Sequence, residues 1–164
     1  KIPEDSLLGI EENVGFKQLM TTFENARIQT ASRSNGLSKR AFELAFNYSK
    51  NRIQFGKSIF AFPRIYQKLQ SIFLNLVGCK IYNLNVTTNY NNSIGNQLNS
   101  SITKMLCSNY CWINADISFQ IHGSYGYAQE FEISRILCDS RIMSIFEGTS
   151  QIQASIIAKQ IFKK

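Results

Sequence analysis

Arg141-Ile142-Met143-Ser144-Ile145-Phe146-Glu147-Gly148-Thr149-Ser150-Gln151-Ile152-Gln153 is the stretch that orients the whole chain. It sets one carboxylate, Glu147, between apolar residues and a Gly-Thr-Ser turn. The Thr149 or Ser150 hydroxyl is suited to cap the helix that Ile152, Ile156, Ile157 and Ile161 suggest. Acids are common in the first turn of helices, because the macrodipole favours negative charge there by roughly 0.3–1 kcal/mol. On that local grammar Glu147 is a helix-start residue and nothing more. Backed by Ile145 and Phe146, the same acid is half desolvated and half held by backbone N–H groups, a setting in which a carboxylate acts as a base. The local pattern leaves both readings open.

Upstream, the apolar residues recur at helical spacing. From Val14 to about Glu24, Phe16, Leu19, Met20 and Phe23 share a face, and a second, longer helix is expected from about Ala26 to Asn51. Gly36 costs that helix about 1 kcal/mol relative to alanine, so it marks either a close helix contact or a tolerated irregularity. Phe55-Gly56 ends it, and Pro63 stands where a first-turn proline opens the next, from Arg64 to about Thr88. That helix carries two apolar rows, a stripe broad enough for more than one neighbour. Asn89 to Asn99 reads as a surface loop. A further long helix carries Leu98, Ile102, Met105, Leu106, Ile113 and Ile117 and ends near Gly123. A turn at Gly123–Tyr127, a short helix over about Phe131–Asp139 and a last helix over about Thr149–Phe162 complete the chain. No segment alternates with a period of two for long enough to make a strand. The expected fold is all-α: an up-and-down four-helix bundle of long antiparallel helices with short additional helices.

The chain has 164 residues, 44% of them hydrophobic, the size of one domain with a sizeable core. Its net charge of +7 would suit a polyanionic partner, but the basic residues are scattered rather than clustered, which makes nucleic acid an unlikely partner. One histidine and no Cys-x-x-Cys pair leave no zinc ligand set, so no metal is expected. The four cysteines are read as reduced and mostly buried, hence an intracellular setting, cytoplasmic or mitochondrial. No apolar run reaches the length of a membrane span, and the Lys-Ile-Pro start is not a signal peptide.

Phe146-Glu147-Gly148-Thr149-Ser150-Gln151-Ile152-Gln153 closely resembles the signature near the end of the C-terminal helical domain of the acyl-CoA dehydrogenases. Three further stretches follow the order of that family: Ile2-Pro3 through Leu7-Leu8-Gly9, Arg52-Ile53-Gln54-Phe55-Gly56-Lys57, and Gln120-Ile121-His122-Gly123-Ser124-Tyr125-Gly126-Tyr127. The resemblance implies that residues 1–164 are the C-terminal domain of a larger flavoenzyme, inactive alone, with residues 1–9 leading in from a middle β domain. It implies FAD as cofactor, an acyl-CoA thioester as substrate, and α,β-dehydrogenation as the reaction. A homodimer or dimer of dimers is expected, with electron-transfer flavoprotein or another acceptor as redox partner.

By resemblance, Glu147 takes the α proton, and the developing enolate oxygen meets the backbone N–H of Glu147 and a ribityl hydroxyl of the flavin. Arg52, Gln54 and Phe55 resemble a clamp on the FAD pyrophosphate and adenosine that reaches in from a neighbouring subunit. Arginine suits this because its planar fork binds phosphate oxygens in pairs. Gln120, Ile121, His122, Gly123 and Ser124 match a second flavin-contacting turn, and Thr149 and Gln151 a third. His122 taken alone reads as a packed or hydrogen-bonded turn histidine. Glu24, Arg27 and Gly148 fall at positions of substrate contact, although Glu24 and Arg27 also have the i, i+3 spacing of a surface ion pair. Ala26 stands where a subgroup carries its catalytic acid on the first long helix, and alanine takes no proton. Departures from the family pattern include Ser124 in place of a second glycine, Pro63 and Cys138. Ser124 is expected to crowd the cofactor. An acyl-CoA oxidase domain, and a non-catalytic bundle that is degenerate or associated with nucleic acid, are the alternatives.

Overall fold

The computed structural model describes residues 3, 6–9 and 11–162. Part of the lead-in expected over residues 1–9 therefore lies outside the described residues. Helix α1 spans Gly15–Asn51, α2 Pro63–Asn91, α3 Gln97–His122, α4 Ser124–Tyr127, α5 Glu132–Ile142 and α6 Ser150–Ile161. The break expected between Glu24 and Ala26 does not occur: no glycine or proline interrupts that stretch, and α1 runs through it for 37 residues, roughly 55 Å at 1.5 Å per residue. The asparagine-rich loop is shorter than expected, since α2 extends to Asn91 and α3 starts at Gln97, with Asn96 Oδ1 capping it by accepting from Asn99 N at 2.8 Å. Pro63 begins α2 in its first turn, where its missing N–H costs nothing.

The rods alternate in direction. Ala31 of α1 packs with Cys107 of α3 and, further along both helices, Ala41 packs with Ala115 and Ala45 with Ile121, so α1 and α3 run parallel. In α2 the order is reversed, with Leu69 and Ile72 beside Ala45 and Cys79 beside Ala31. The fourth rod is made of two pieces laid in succession along α3. Helix α5 covers the Ala115 region through Ile133 and Ile136. Helix α6 then descends from Ser150, hydrogen-bonded to Asn109, to Gln160, hydrogen-bonded to Gln97. The expected up-and-down bundle is present, with one rod broken.

Small residues draw α1 and α3 together. Ala31, Ser34, Ser38, Ala41 and Ala45 on α1 are buried and alternate in steps of three and four, as do Ser100, Lys104, Cys107, Cys111, Asn114, Ser118 and Ile121 on α3. This is the spacing of a helix–helix seam. Asn114 Nδ2 donates to Ser38 Oγ at 3.0 Å inside it. Of the larger apolar residues that the helical pattern of α3 carries, Leu106 and Ile117 are partly buried against the core and Ile113 is exposed. Gly36 makes no close helix contact: a Cβ there would meet open space.

Between α1 and α2 the chain makes a feature that the sequence reading did not anticipate. Ile53–Gln54 and Lys57–Ser58 form an antiparallel two-residue ladder, too short to show a period, around Phe55-Gly56. Phe55 and Gly56 have φ values of 52° and 76°, and left-handed backbone at both central residues is what a tight two-residue hairpin requires.

Candidate functional site

Glu147 sits in the break of the fourth rod. After α5 the chain turns through Met143–Thr149, closed by Ser150 N donating to Ser144 O at 3.1 Å. Thr149 Oγ1 accepts from Ile152 N and caps α6 as expected. Glu147 has φ 54° and Gly148 φ 92°. A non-glycine residue in this region is strained and persists only where its surroundings hold it. A helix break also strands carbonyls that need donors. Both needs are met from below. Lys104 Nζ donates to Gly148 O at 2.7 Å, and Gln153 Nε2 donates to Glu147 O and Gly148 O, each at 3.2 Å. Lys104 and Gln153 are both 0% exposed.

The turn leaves two groups of one residue unengaged. The half-buried Glu147 carboxylate makes no hydrogen bond or ion pair among the described residues, and its backbone N–H has no acceptor there. Below lie two buried cations. Burial pushes the Lys104 ammonium down to about 8, opposed by the Glu147 charge and assisted by Arg27. Arg27 is 5% exposed and its Nε and Nη1 have no partner among the described residues. Burial lowers its basicity too, against the pull of Glu24 and Glu147. The surface ion pair allowed by the Glu24–Arg27 spacing is not formed, because Arg27 turns inward. Gln151 on α6 is exposed.

The other predicted residues gather at the opposite end of the bundle. The Arg52 guanidinium lies 5.3 Å from the Tyr125 ring centroid, joining the Arg52–Phe55 hairpin to the turn after α3. His122 is buried, its Nδ1 2.7 Å from Ser118 O and its ring stacked on Tyr48 at 4.4 Å. Burial lowers its basicity and the Ser118 carbonyl partly restores it. It is the packed turn histidine expected from the sequence. Ile121 is buried in the core; Gln54, Phe55, Gln120, Gly123 and Ser124 are exposed. Ser124 is not in the left-handed region, whereas Gly123 is, at φ 61°. The glycine that this backbone needs is therefore present, and the serine imposes no strain. A guanidinium, amide side chains and an exposed aromatic ring within one end face suit a pyrophosphate and an adenine-type ring.

The two clusters are not brought together within one chain. Lys104 and His122 lie roughly 27 Å apart along α3 at 1.5 Å per residue. Among the described residues there is no grouping of three metal-ligating side chains, and no helix is long and apolar enough to cross a membrane. Cys79, Cys107 and Cys111 are free and buried, as expected, while Cys138 is free and exposed. Lys104 and Gln153 were missed by sequence reasoning, because a lysine on a helix reads as a solvated charge. Lys104 did carry a signal in its register, the seam spacing of Ser100, Cys107 and Cys111, whereas Gln153, the single buried residue of α6, carried none.

The family described as "Acyl-CoA dehydrogenase, C-terminal domain" matches residues 13–162. The chain is 40% identical over 161 residues to (2S)-methylsuccinyl-CoA dehydrogenase of Cereibacter sphaeroides, covering 98% of this chain and 29% of that protein. It is 34% identical to the Caffeyl-CoA reductase-Etf complex subunit CarC of Acetobacterium woodii, over 100% of this chain and 43% of the relative. The structure of butyryl-CoA dehydrogenase from Megasphaera elsdenii superposes with a TM-score of 0.95 at 29% identity, over 98% of this chain and 42% of the other. The chain thus spans less than half the length of the relatives it matches.

Proposed function

Because this chain belongs to the acyl-CoA dehydrogenase family, as its C-terminal helical domain, we propose that it carries the catalytic base and part of the flavin site of a larger enzyme that desaturates an acyl-CoA thioester between its α and β carbons. The observation that carries this reading is the turn in the fourth rod. One residue there offers both a carboxylate and an N–H that are unpaired among the described residues, held in place by buried donors. The Glu147 carboxylate takes the α proton. Its N–H donates to the thioester oxygen as negative charge develops, a preorganised donor of the kind that lowers such barriers most. Electrons of the broken α C–H bond form the new double bond as hydride departs from the β carbon. FAD, when bound, supplies the acceptor for that hydride.

Thr149 and Gln151 border the same turn and would hold the reacting end of the flavin, with Gly148, Glu24 and Arg27 on the substrate side. Arg52, Gln54, Phe55, Gln120, Gly123 and Ser124 would hold the pyrophosphate and adenosine end, on a turn that the buried Ile121 and His122 anchor in the core rather than contacting the cofactor with their own side chains. Since the two groups sit at opposite ends of the bundle, the geometry favours a site shared between two copies, the end face of one completing the Glu147 turn of its partner. Electron-transfer flavoprotein as acceptor is supported by the similarity to a subunit of a reductase-Etf complex. An intracellular enzyme, cytoplasmic or mitochondrial, is consistent with the buried free thiols.

The full-length Glu147→Gln protein tests the base. It is expected to keep its flavin absorption and to lose bleaching by acyl-CoA, because glutamine is nearly isosteric and accepts no proton. Bleaching at the parent rate would refute the assignment.

A further inference from the structure

Lys104 takes no part in the proton transfer, yet it is among the most deeply buried side chains of the molecule. A methionine or leucine would fill its place in the α3 seam without the desolvation cost of an ammonium. The position therefore asks for what the charge does. Its Nζ reaches one acceptor among the described residues, Gly148 O, at 2.7 Å, the length of a charge-assisted bond. We propose that Lys104 is a positioning residue for the reaction: its bond to Gly148 O locks the left-handed Glu147–Gly148 backbone so that the carboxylate and the N–H of Glu147 face the acyl group together.

The inference rests on the reading of Glu147 as the base. Two further features support it. Glu147 bears a side chain at φ 54°, and such a residue relaxes toward ordinary backbone unless held; relaxation would swing its carboxylate and its N–H away from a common target. Gln153 holds the Gly148 carbonyl and the carbonyl of Glu147 through one amide nitrogen, but with a neutral donor and at longer distances. The ammonium is thus the stronger of the two tethers. The cation also lies within electrostatic reach of Glu147, whose charge supports the Lys104 proton against burial and against Arg27.

The test uses the full-length flavoenzyme with Lys104→Met, Lys104→Gln and Glu147→Gln. Stopped-flow bleaching is followed with butyryl-CoA, or with whichever member of an acyl-CoA panel bleaches the parent fastest. Both Lys104 variants are expected to retain flavin and to bind acyl-CoA within about threefold of the parent. Their bleaching rate at saturation is expected to fall about 10- to 100-fold, the usual consequence of misplacing a reacting group by about an ångström. A rate within about twofold of the parent in both variants overturns the proposal. So does an acyl-CoA affinity that weakens as much as the rate, and so does loss of fold or flavin in both, since Lys104 would then be scaffold alone. Glu147→Gln separates the two levels. If it bleaches at the parent rate, the reading of the base has failed; if it is silent while both Lys104 variants stay fast, only the role of Lys104 has failed.

Discussion

Phe55-Gly56 and Glu147-Gly148 share one backbone and have opposite support. In each pair a side-chain-bearing residue and then a glycine occupy the left-handed region, with φ of 52° and 76° in the first and 54° and 92° in the second. The first pair is held locally, by a ladder whose partners are at most five residues apart, Ile53 with Ser58 and Gln54 with Lys57. Its tip projects outward, Phe55 being 90% exposed. The second is held by Lys104 from α3 and Gln153 from α6. The hairpin is therefore a self-contained projection, suited to reaching into something else. The Glu147 turn depends on the assembled bundle and is only as rigid as the side chains beneath it.

If that contrast is right, adding one methyl group to each glycine has very different effects. At Gly148 a Cβ would run into Gln153 Nε2. That atom ends a flexible side chain, but it is buried and bonded to two carbonyls, so moving it breaks both bonds. Left-handed strain adds to this. Gly148→Ala is expected to cost about 3–5 kcal/mol, about 1–2 from φ and the rest from two lost buried hydrogen bonds and the displaced amide. Chemical denaturation reads the loss directly. A cost under about 1 kcal/mol would mean that Gln153 is not holding the turn.

How much of this was legible beforehand follows from the same contrast. The Glu-Gly-Thr signature and the Thr149 cap are local, and both are where the sequence placed them. So are Pro63 at the start of α2 and Gly123 at the end of α3. Helical periodicity located the rods, because an apolar stripe repeats whatever it packs against. It did not single out the seam of α3: Ile113 is exposed while Cys111, Asn114 and Ser118 are buried. Close approach of α1 selects for small side chains, and hydrophobicity does not register closeness. It also placed a break near Asn25, where the helix continues and its buried face begins, the first buried residue of α1 being Arg27. Lys104 and Gln153 could not be found by type, since each is defined by a carbonyl dozens or several residues away in a turn that exists only after folding.

The next effect concerns the charge beneath the turn. The Lys104 ammonium is lowered from its ordinary value of 10.5 to about 8 by burial. Below pH 8 both folded and unfolded chains carry the proton, and the burial penalty is present in full. Between pH 8 and 10.5 the unfolded chain binds more protons than the folded one, so stability gained from this residue rises with pH, and above 10.5 the gain is complete. The lowering corresponds to about 3 kcal/mol. Lys104→Met removes the penalty and the titration together. The stability difference between parent and Lys104→Met should therefore shift in favour of the parent by about 3 kcal/mol from pH 7.5 to 10.5, measured by urea unfolding at each pH. A pH-independent difference would place the ammonium in contact with water rather than under Gly148 O.

The smallest effect belongs to the hairpin and is the control for the other two. A Cβ on Gly56 would meet nothing within 4 Å, so Gly56→Ala carries only the strain of its φ of 76°, about 1 kcal/mol. No distant side chain loses a partner, and the Glu147 turn at the far end of the bundle is untouched. Thermal unfolding should show a shift of a few degrees at most, with bleaching of the full-length enzyme by saturating acyl-CoA unchanged once flavin is supplied in excess. Flavin affinity is the quantity that should move, because an altered hairpin tip changes what Arg52 and Phe55 present. If Gly56→Ala instead lowered stability as much as Gly148→Ala does, the hairpin would not be locally held, and the contrast between the two turns would be lost.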